Sequence, residues 1–82
     1  MSSTAAEVRS VLAAKTGLSV PEILDELTLE DIGLDSLRTA EAILALEHRL
    51  GARVDLDRIG HGLTRGTRVG EFVSLVESAI LR

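Results

Sequence analysis

The residues of this chain best suited to chemistry are Asp35-Ser36-Leu37, which lie at the start of a strongly patterned helical segment. A serine in the first turn of a helix lies beside unpaired backbone N–H groups and a partial positive charge, both of which favour an anion. Ser36 is therefore able to carry a phosphate-linked group. The plainer interpretation is that Asp35 or Ser36 only caps the helix, as these residue types commonly do. Local chemistry alone favours the capping interpretation.

Other chemistries for Ser36 find little support in the sequence. The serine is not part of a Gly-x-Ser-x-Gly elbow. His48 would lie roughly 18 Å further along the same helix, too far to act as its base. His61 stands between two glycines, where simple solvent exposure is expected. The acidic residues match no calcium-loop spacing, and cysteine is absent, so we expect neither catalytic residues nor a metal site.

Composition limits the class of protein. With 82 residues, 45% hydrophobic and 27% charged, the chain fits one small domain. Phe72 is the only aromatic residue, and an aliphatic core suits packed helices better than a sheet. The net charge of −4 argues against nucleic acid and favours basic partners.

Because no apolar run is long enough to span a membrane and no signal peptide is recognisable, we expect a soluble cytoplasmic protein.

The elements before Ser36 are a helix and a long loop. The first helix is expected to begin at Thr4, in a capping box with Glu7, and to end at Gly17. Residues 18–34 are expected to form the loop, with a single turn at Pro21. Apolar side chains would anchor this loop to the core: Ile23, Leu24, Leu27, Leu29 and Ile32.

The elements after Ser36 complete the predicted fold. The second helix is expected over Ser36–Leu50, with Gly51 as its left-handed terminator. A short helical piece follows around Ile59, and Thr67 is the expected cap of a last helix that reaches Ala79 or beyond. The predicted class is all-α: a small bundle of three main helices plus a short third helix, with a long loop between the first two.

The second helix is apolar on two sides. One face is expected to enter the core, and it holds Thr39, Ala42, Ile43, Leu46 and Leu50. The opposite side holds a second apolar strip, which we name the docking strip: Leu37, Ala40 and Leu44. Its margins hold Glu41, Glu47 and His48. A small domain buries one side of such a helix, so the strip indicates a partner, although scattered apolar surface residues are also ordinary.

The segment DIGLDSLRTAEAILALEHRLG, residues 31–51, is similar to the signature of acyl carrier proteins. The similarity joins Asp35-Ser36-Leu37, the helix after them and the downstream segment from Thr67 to Ile80, in the order that this family shows. It covers nearly the whole chain and is weakest between Asp57 and Arg68. The resemblance implies that residues 1–82 form a single acyl carrier domain that catalyses nothing itself.

By this resemblance, Ser36 is the attachment point of phosphopantetheine, transferred from coenzyme A by a separate phosphopantetheinyl transferase, and Asp35 belongs to the same cofactor site. The cofactor thiol would hold an acyl chain as a thioester and present it to several enzymes at raised effective concentration. The implied partners are enzymes of acyltransferase, ketosynthase or acyl/aminoacyl ligase type, bound to a monomeric carrier. The implied docking residues are Asp35, Leu37, Glu41, Leu44 and Glu47, with the acids steering basic patches. Arg38 and Ala40 lie on the same surface and are expected to contact partners as well.

Several residues depart from the fatty-acid type of carrier. Arg38 and His48 stand where that type usually has acids, and Ala40 replaces a larger apolar residue. These departures favour a carrier of polyketide or related specialised metabolism, including antibiotic biosynthesis, over a fatty-acid synthase carrier. Gly33 followed by Leu34 favours an acyl carrier over the peptidyl carrier of a peptide synthetase. The short tails suggest a free-standing protein, with an excised synthase domain as the alternative.

Two other classes of function remain open from the sequence. The first is a cofactor-free helical interaction module that binds a partner through the docking strip. The second is an esterase-like enzyme that depends on Ser36 or His48. The mass of the chain after incubation with coenzyme A and a transferase separates the carrier from both, since only a carrier gains phosphopantetheine.

Overall fold

The computed structural model describes residues 3–81. Within these residues the fold consists of four helices connected by three loops. Met1, Ser2 and Arg82, which the predicted domain includes, lie outside the described residues. The helices are α1 (Thr4–Thr16), α2 (Ser36–Leu50), α3 (Leu56–Gly62) and α4 (Val69–Ala79), and a 3₁₀ turn covers Val20–Glu22. The predicted all-α class, with three main helices and a short third one, is confirmed.

A two-stranded ribbon was not predicted. Strand β1 (Arg53–Val54) pairs antiparallel with β2 (Ile80–Leu81), with Arg53 opposite Leu81 and Val54 opposite Ile80. The ribbon ties the chain after α2 to the chain after α4. Within residues 3–81, each helix is too short or too polar to cross a lipid bilayer.

Helix α1 begins with a different cap from the one predicted. The Oγ atom of Ser3 accepts a hydrogen bond from the Ala6 N–H at 3.1 Å, and Thr4 is already the first helical residue. The predicted Thr4–Glu7 capping box is therefore wrong. The end of the helix is as predicted, since Gly17 has a φ of 78° and its N–H donates to the Ala13 carbonyl.

The start of α4 also differs from the prediction. Thr67 is buried, and its hydroxyl accepts a hydrogen bond from the Thr64 N–H at 2.8 Å. The N-cap is Arg68, whose N–H donates to the Glu71 carboxylate at 3.1 Å. The prediction of Thr67 as the cap is therefore wrong, because this hydroxyl stabilises the loop before α4 instead. The helix ends at Ala79, as predicted.

The core contains aliphatic side chains from every helix together with Phe72. The largest side chains that are fully buried are Val8, Leu12, Ile23, Leu46, Ile59, Val69, Phe72 and Val76. The long loop contributes to this core through Ile23, Leu29, Ile32 and Leu34, whereas Leu24, one of the predicted anchors, is exposed. Leu34 is buried directly before Asp35, the N-cap of α2, and so fixes the point at which the chain enters that helix.

Candidate functional site

The first turn of α2 is capped by Asp35 and not by Ser36. The Oδ1 atom of Asp35 accepts a hydrogen bond from the Arg38 N–H at 2.7 Å. The Asp35 carbonyl accepts two more, from the Thr39 N–H at 2.9 Å and the Thr39 hydroxyl at 2.7 Å. Asp35 therefore performs the capping role that the sequence left open between these two residues.

Ser36 therefore does not cap α2. It is the first residue of α2 and is exposed, and its hydroxyl makes no hydrogen bond within residues 3–81. The N–H groups of Ser36 and Leu37 likewise have no acceptor in that part of the chain. An anion linked to the Ser36 Oγ atom would thus lie beside unpaired donors at the positive end of the helix dipole.

The loop before Asp35 holds the start of α2 in place. Gly33 has a φ of 85°, a left-handed conformation that glycine adopts without a steric penalty. The Leu34 N–H donates to the Leu29 carbonyl at 2.9 Å.

The turn before Gly33 is stabilised by Asp31. The Asp31 carboxylate accepts from the Thr28 N–H at 2.9 Å, and this bond lowers the pKa of Asp31 below its ordinary value of 3.8. Asp31 is therefore ionised at neutral pH and stabilises this turn.

A groove of about 240 Å³ lies beside Ser36, between the start of α2 and the loop connecting α3 to α4. Its lining combines apolar side chains with hydroxyl and charged groups: Leu29, Leu34, Asp35, Ser36, Thr39, Leu63, Thr64 and Arg65. Sequence reasoning did not bring Leu63, Thr64 or Arg65 to this site, because they belong to a distant part of the chain.

The two faces of α2 differ sharply in exposure. Leu37 is 70% exposed and Leu44 60% exposed, and Ala40 between them is also exposed. On the opposite face, Thr39, Ala42, Ile43 and Leu46 are buried, and Leu50 is half-buried. The docking strip is therefore an apolar surface that begins directly after Ser36, and Arg38 and Glu41 are exposed beside it.

Glu47 makes a structural contact, and its docking role stays a prediction. Its side chain is only 15% exposed, and its Oε2 atom accepts a hydrogen bond from the Val54 N–H at 2.8 Å. The same oxygen lies 3.4 Å from the Arg53 Nε atom. Glu47 thus holds β1 against α2, a contact that the unpredicted ribbon creates.

Fold and site together define a small helical domain, in which the helix that follows an exposed serine carries an apolar outer face. A family profile described as "Phosphopantetheine attachment site" matches residues 6–75. The chain belongs to this family, that of the acyl carrier proteins. Members of the family are non-catalytic carriers, and phosphopantetheine is their covalently bound prosthetic group.

Curated relatives include both small carriers and a large synthase. The acyl carrier protein of Saccharopolyspora erythraea is 36% identical over 61 residues, which cover 66% of this chain and 64% of that protein. The acyl carrier protein of Thermotoga maritima is 28% identical over 75 residues, or 90% of this chain and 88% of that protein. The non-reducing polyketide synthase SAT8 of Stachybotrys chartarum is 32% identical over 73 residues, which cover 89% of this chain but only 3% of the synthase.

The residues around Ser36 fit such a prosthetic group. The group is joined through a phosphodiester, and the unpaired N–H groups at the start of α2 favour a negative charge there. The groove is lined by Arg65 and Thr64 next to apolar residues. Ser36 is exposed, so a modifying enzyme can reach it.

Proposed function

We propose that residues 1–82 act as a single acyl carrier domain and that Ser36 is the attachment point of its phosphopantetheine. The proposal is carried by the division of roles between two neighbouring residues. Asp35 caps α2, and this leaves the Ser36 hydroxyl exposed and unbonded at the helix start. A serine needed only for capping would hold that hydrogen bond itself.

In the loading reaction, the Ser36 Oγ atom attacks the phosphorus of coenzyme A that bears pantetheine. An O–P bond forms, the pyrophosphate P–O bond breaks, and adenosine 3′,5′-bisphosphate leaves. The Ser36 proton passes to a base on a separate phosphopantetheinyl transferase, since His48 lies roughly 18 Å further along the helix. When bound, the group supplies a thiol that holds acyl chains as thioesters, which suits a chain without cysteine.

The same proposal assigns partner docking to α2. The docking strip supplies apolar contact next to the attachment point, while Asp35, Arg38 and Glu41 supply charges at its edge. The partners would be the transferase and enzymes of acyltransferase, ketosynthase or acyl/aminoacyl ligase type. The carrier would meet them as a monomer in the cytoplasm, where coenzyme A is supplied.

For the pathway, we propose polyketide or related specialised metabolism, including antibiotic biosynthesis. The positive charge of Arg38 at the docking strip supports this assignment, as does the similarity to a fungal polyketide synthase. The similarity to two acyl carrier proteins keeps a fatty-acid synthase carrier as the second candidate.

The proposed function is tested by intact mass. The chain is incubated with coenzyme A and a phosphopantetheinyl transferase of broad specificity, beside a carrier that the transferase is known to modify. We expect the mass to rise by one phosphopantetheine. If the control carrier is modified and this chain is not, the carrier assignment fails and the cofactor-free interaction module replaces it.

Charge reversal at two glutamates of α2 separates docking from stability. Glu47→Lys removes the acceptor of the Val54 N–H, and we expect it to lower the free energy of unfolding by about 1–3 kcal/mol. Glu41 is exposed, so we expect Glu41→Lys to change stability by less than about 0.5 kcal/mol. Urea denaturation measures both changes.

The rate of phosphopantetheine loading shows whether Glu41 also takes part in docking. Glu41→Lys should slow loading by a transferase with a basic docking surface, and the slowing should weaken as salt is raised. A loss of stability with Glu41→Lys as large as that with Glu47→Lys would mean that Glu41 is structural and not a docking residue.

A further inference from the structure

Arg65 is the basic residue among those that line the groove beside Ser36. It lines the 240 Å³ groove together with Ser36 and Asp35. It also lines a neighbouring pocket of about 220 Å³, which Asp35 shares with Glu30, Gly33 and Leu34. Arg65 therefore lines the groove that contains Ser36 and the pocket next to it, although it belongs to the loop between α3 and α4.

The backbone around Arg65 is fixed with respect to the start of α2. The Arg65 carbonyl accepts a hydrogen bond from the Glu30 N–H at 3.3 Å, and the Thr67 carbonyl accepts one from the Leu29 N–H at 2.9 Å. Within the loop, the Thr67 N–H donates to the Thr64 carbonyl at 3.1 Å. These bonds join the loop to the segment that leads into Ser36, so Arg65 stays beside the groove while its side chain reaches solvent.

The guanidinium of Arg65 has no carboxylate partner within residues 3–81. The ion pairs in that part of the chain use Arg9, Arg49 and Arg53. Arg38, the nearest arginine in sequence to Ser36, lies about 200° around the helix from it and is directed elsewhere. Arg65 is thus the arginine whose position and free charge suit a group on Ser36.

A phosphodiester on Ser36 would add a negative charge next to Asp35 and near Glu30. Such a charge is repelled by both carboxylates unless a cation offsets it. Arginine suits this task because its planar guanidinium donates two parallel hydrogen bonds to phosphate oxygens. We propose that Arg65 binds the phosphodiester of the group attached to Ser36 and so holds the base of the arm in the groove. This inference rests on the proposed function.

The test compares loaded and unloaded forms of four chains: wild type, Arg65→Gln, Arg65→Lys and the control Arg58→Gln. Arg58 is exposed on α3, and its replacement removes the same charge outside the groove. Intact mass establishes that each chain is loaded. The readouts are then the arginine Nε–Hε resonances in ¹H–¹⁵N spectra and the difference in melting temperature between the loaded and unloaded forms of each chain.

We expect loading to shift the Arg65 Nε–Hε resonance and to leave that of Arg58 in place. With Arg65→Gln, loading should lower the melting temperature by about 2–5 °C relative to its effect on the wild type. Arg65→Lys should recover part of this difference, and Arg58→Gln should behave as the wild type.

Two negative results have separate meanings. A loaded wild type with an unmoved Arg65 resonance, or a loaded Arg65→Gln chain with the wild-type temperature difference, overturns the role of Arg65 alone. A wild type that gains no mass overturns the proposed function and this inference with it.

Discussion

Replacing Ser36 with alanine should abolish the phosphopantetheine adduct and leave the fold intact. The adduct is lost because alanine has no oxygen to attack the phosphorus of coenzyme A. Stability should stay within about 0.5 kcal/mol of wild type, because the Ser36 hydroxyl makes no hydrogen bond within residues 3–81 and alanine favours the helix. Intact mass and urea denaturation of the same preparation measure the two effects.

Two control variants make this result specific. Ser74→Ala removes an exposed serine of α4 and should leave the adduct unchanged. Asp35→Ala removes the cap of α2 and should lower the free energy of unfolding by about 1 kcal/mol, which Ser36→Ala should not do. An adduct that persists on Ser36→Ala would place the attachment at another side chain.

Helix α2 is the element that the sequence predicts best, because independent local signals agree there. A capping residue precedes the helix, the apolar period continues through it, and Gly51 ends it with a φ of 64°. Its bounds, Ser36–Leu50, are those predicted. The two exposed leucines of the docking strip also follow directly from helical geometry.

The two wrong capping predictions share a cause, because in each case another local hydrogen bond was possible. Ser3 and Thr4 are neighbouring residues that can each cap α1, and sequence does not decide between them. The residue type predicts Thr67 as the cap of α4, but Thr67 is buried and its hydroxyl bonds the Thr64 N–H in the loop before the helix. Capping preferences describe local options, whereas the fold selects one of them.

Neither the role of Glu47 nor the position of Arg65 follows from the helical pattern of the sequence. Glu47 bonds β1, a two-residue strand too short to leave a pattern in the sequence. Arg65 reaches the site only because its loop is hydrogen-bonded to the segment before α2. The position of Ser36 at the start of α2 was therefore predictable from local sequence, but the groove beside it was not.

Leu46→Ala and Leu44→Ala form a matched pair on α2, two residues apart and identical in chemistry. Leu46 is fully buried, so we expect its replacement to lower the free energy of unfolding by about 2–5 kcal/mol, from lost apolar burial and the cavity left behind. Leu44 is 60% exposed, so we expect its replacement to change stability by less than about 0.5 kcal/mol. Urea denaturation at one temperature compares the two variants directly.

The same pair separates folding from docking when loading rates are measured. Leu44→Ala should slow the transferase at limiting carrier concentration, because it removes an apolar contact from the docking strip and leaves the fold unchanged. Leu46→Ala should slow loading only in proportion to the fraction of carrier that is unfolded. The loading rate should therefore recover when a stabilising cosolvent refolds the variant. Equal destabilisation by both replacements, or a nearly neutral Leu46→Ala, would contradict the division of α2 into a core face and a docking face.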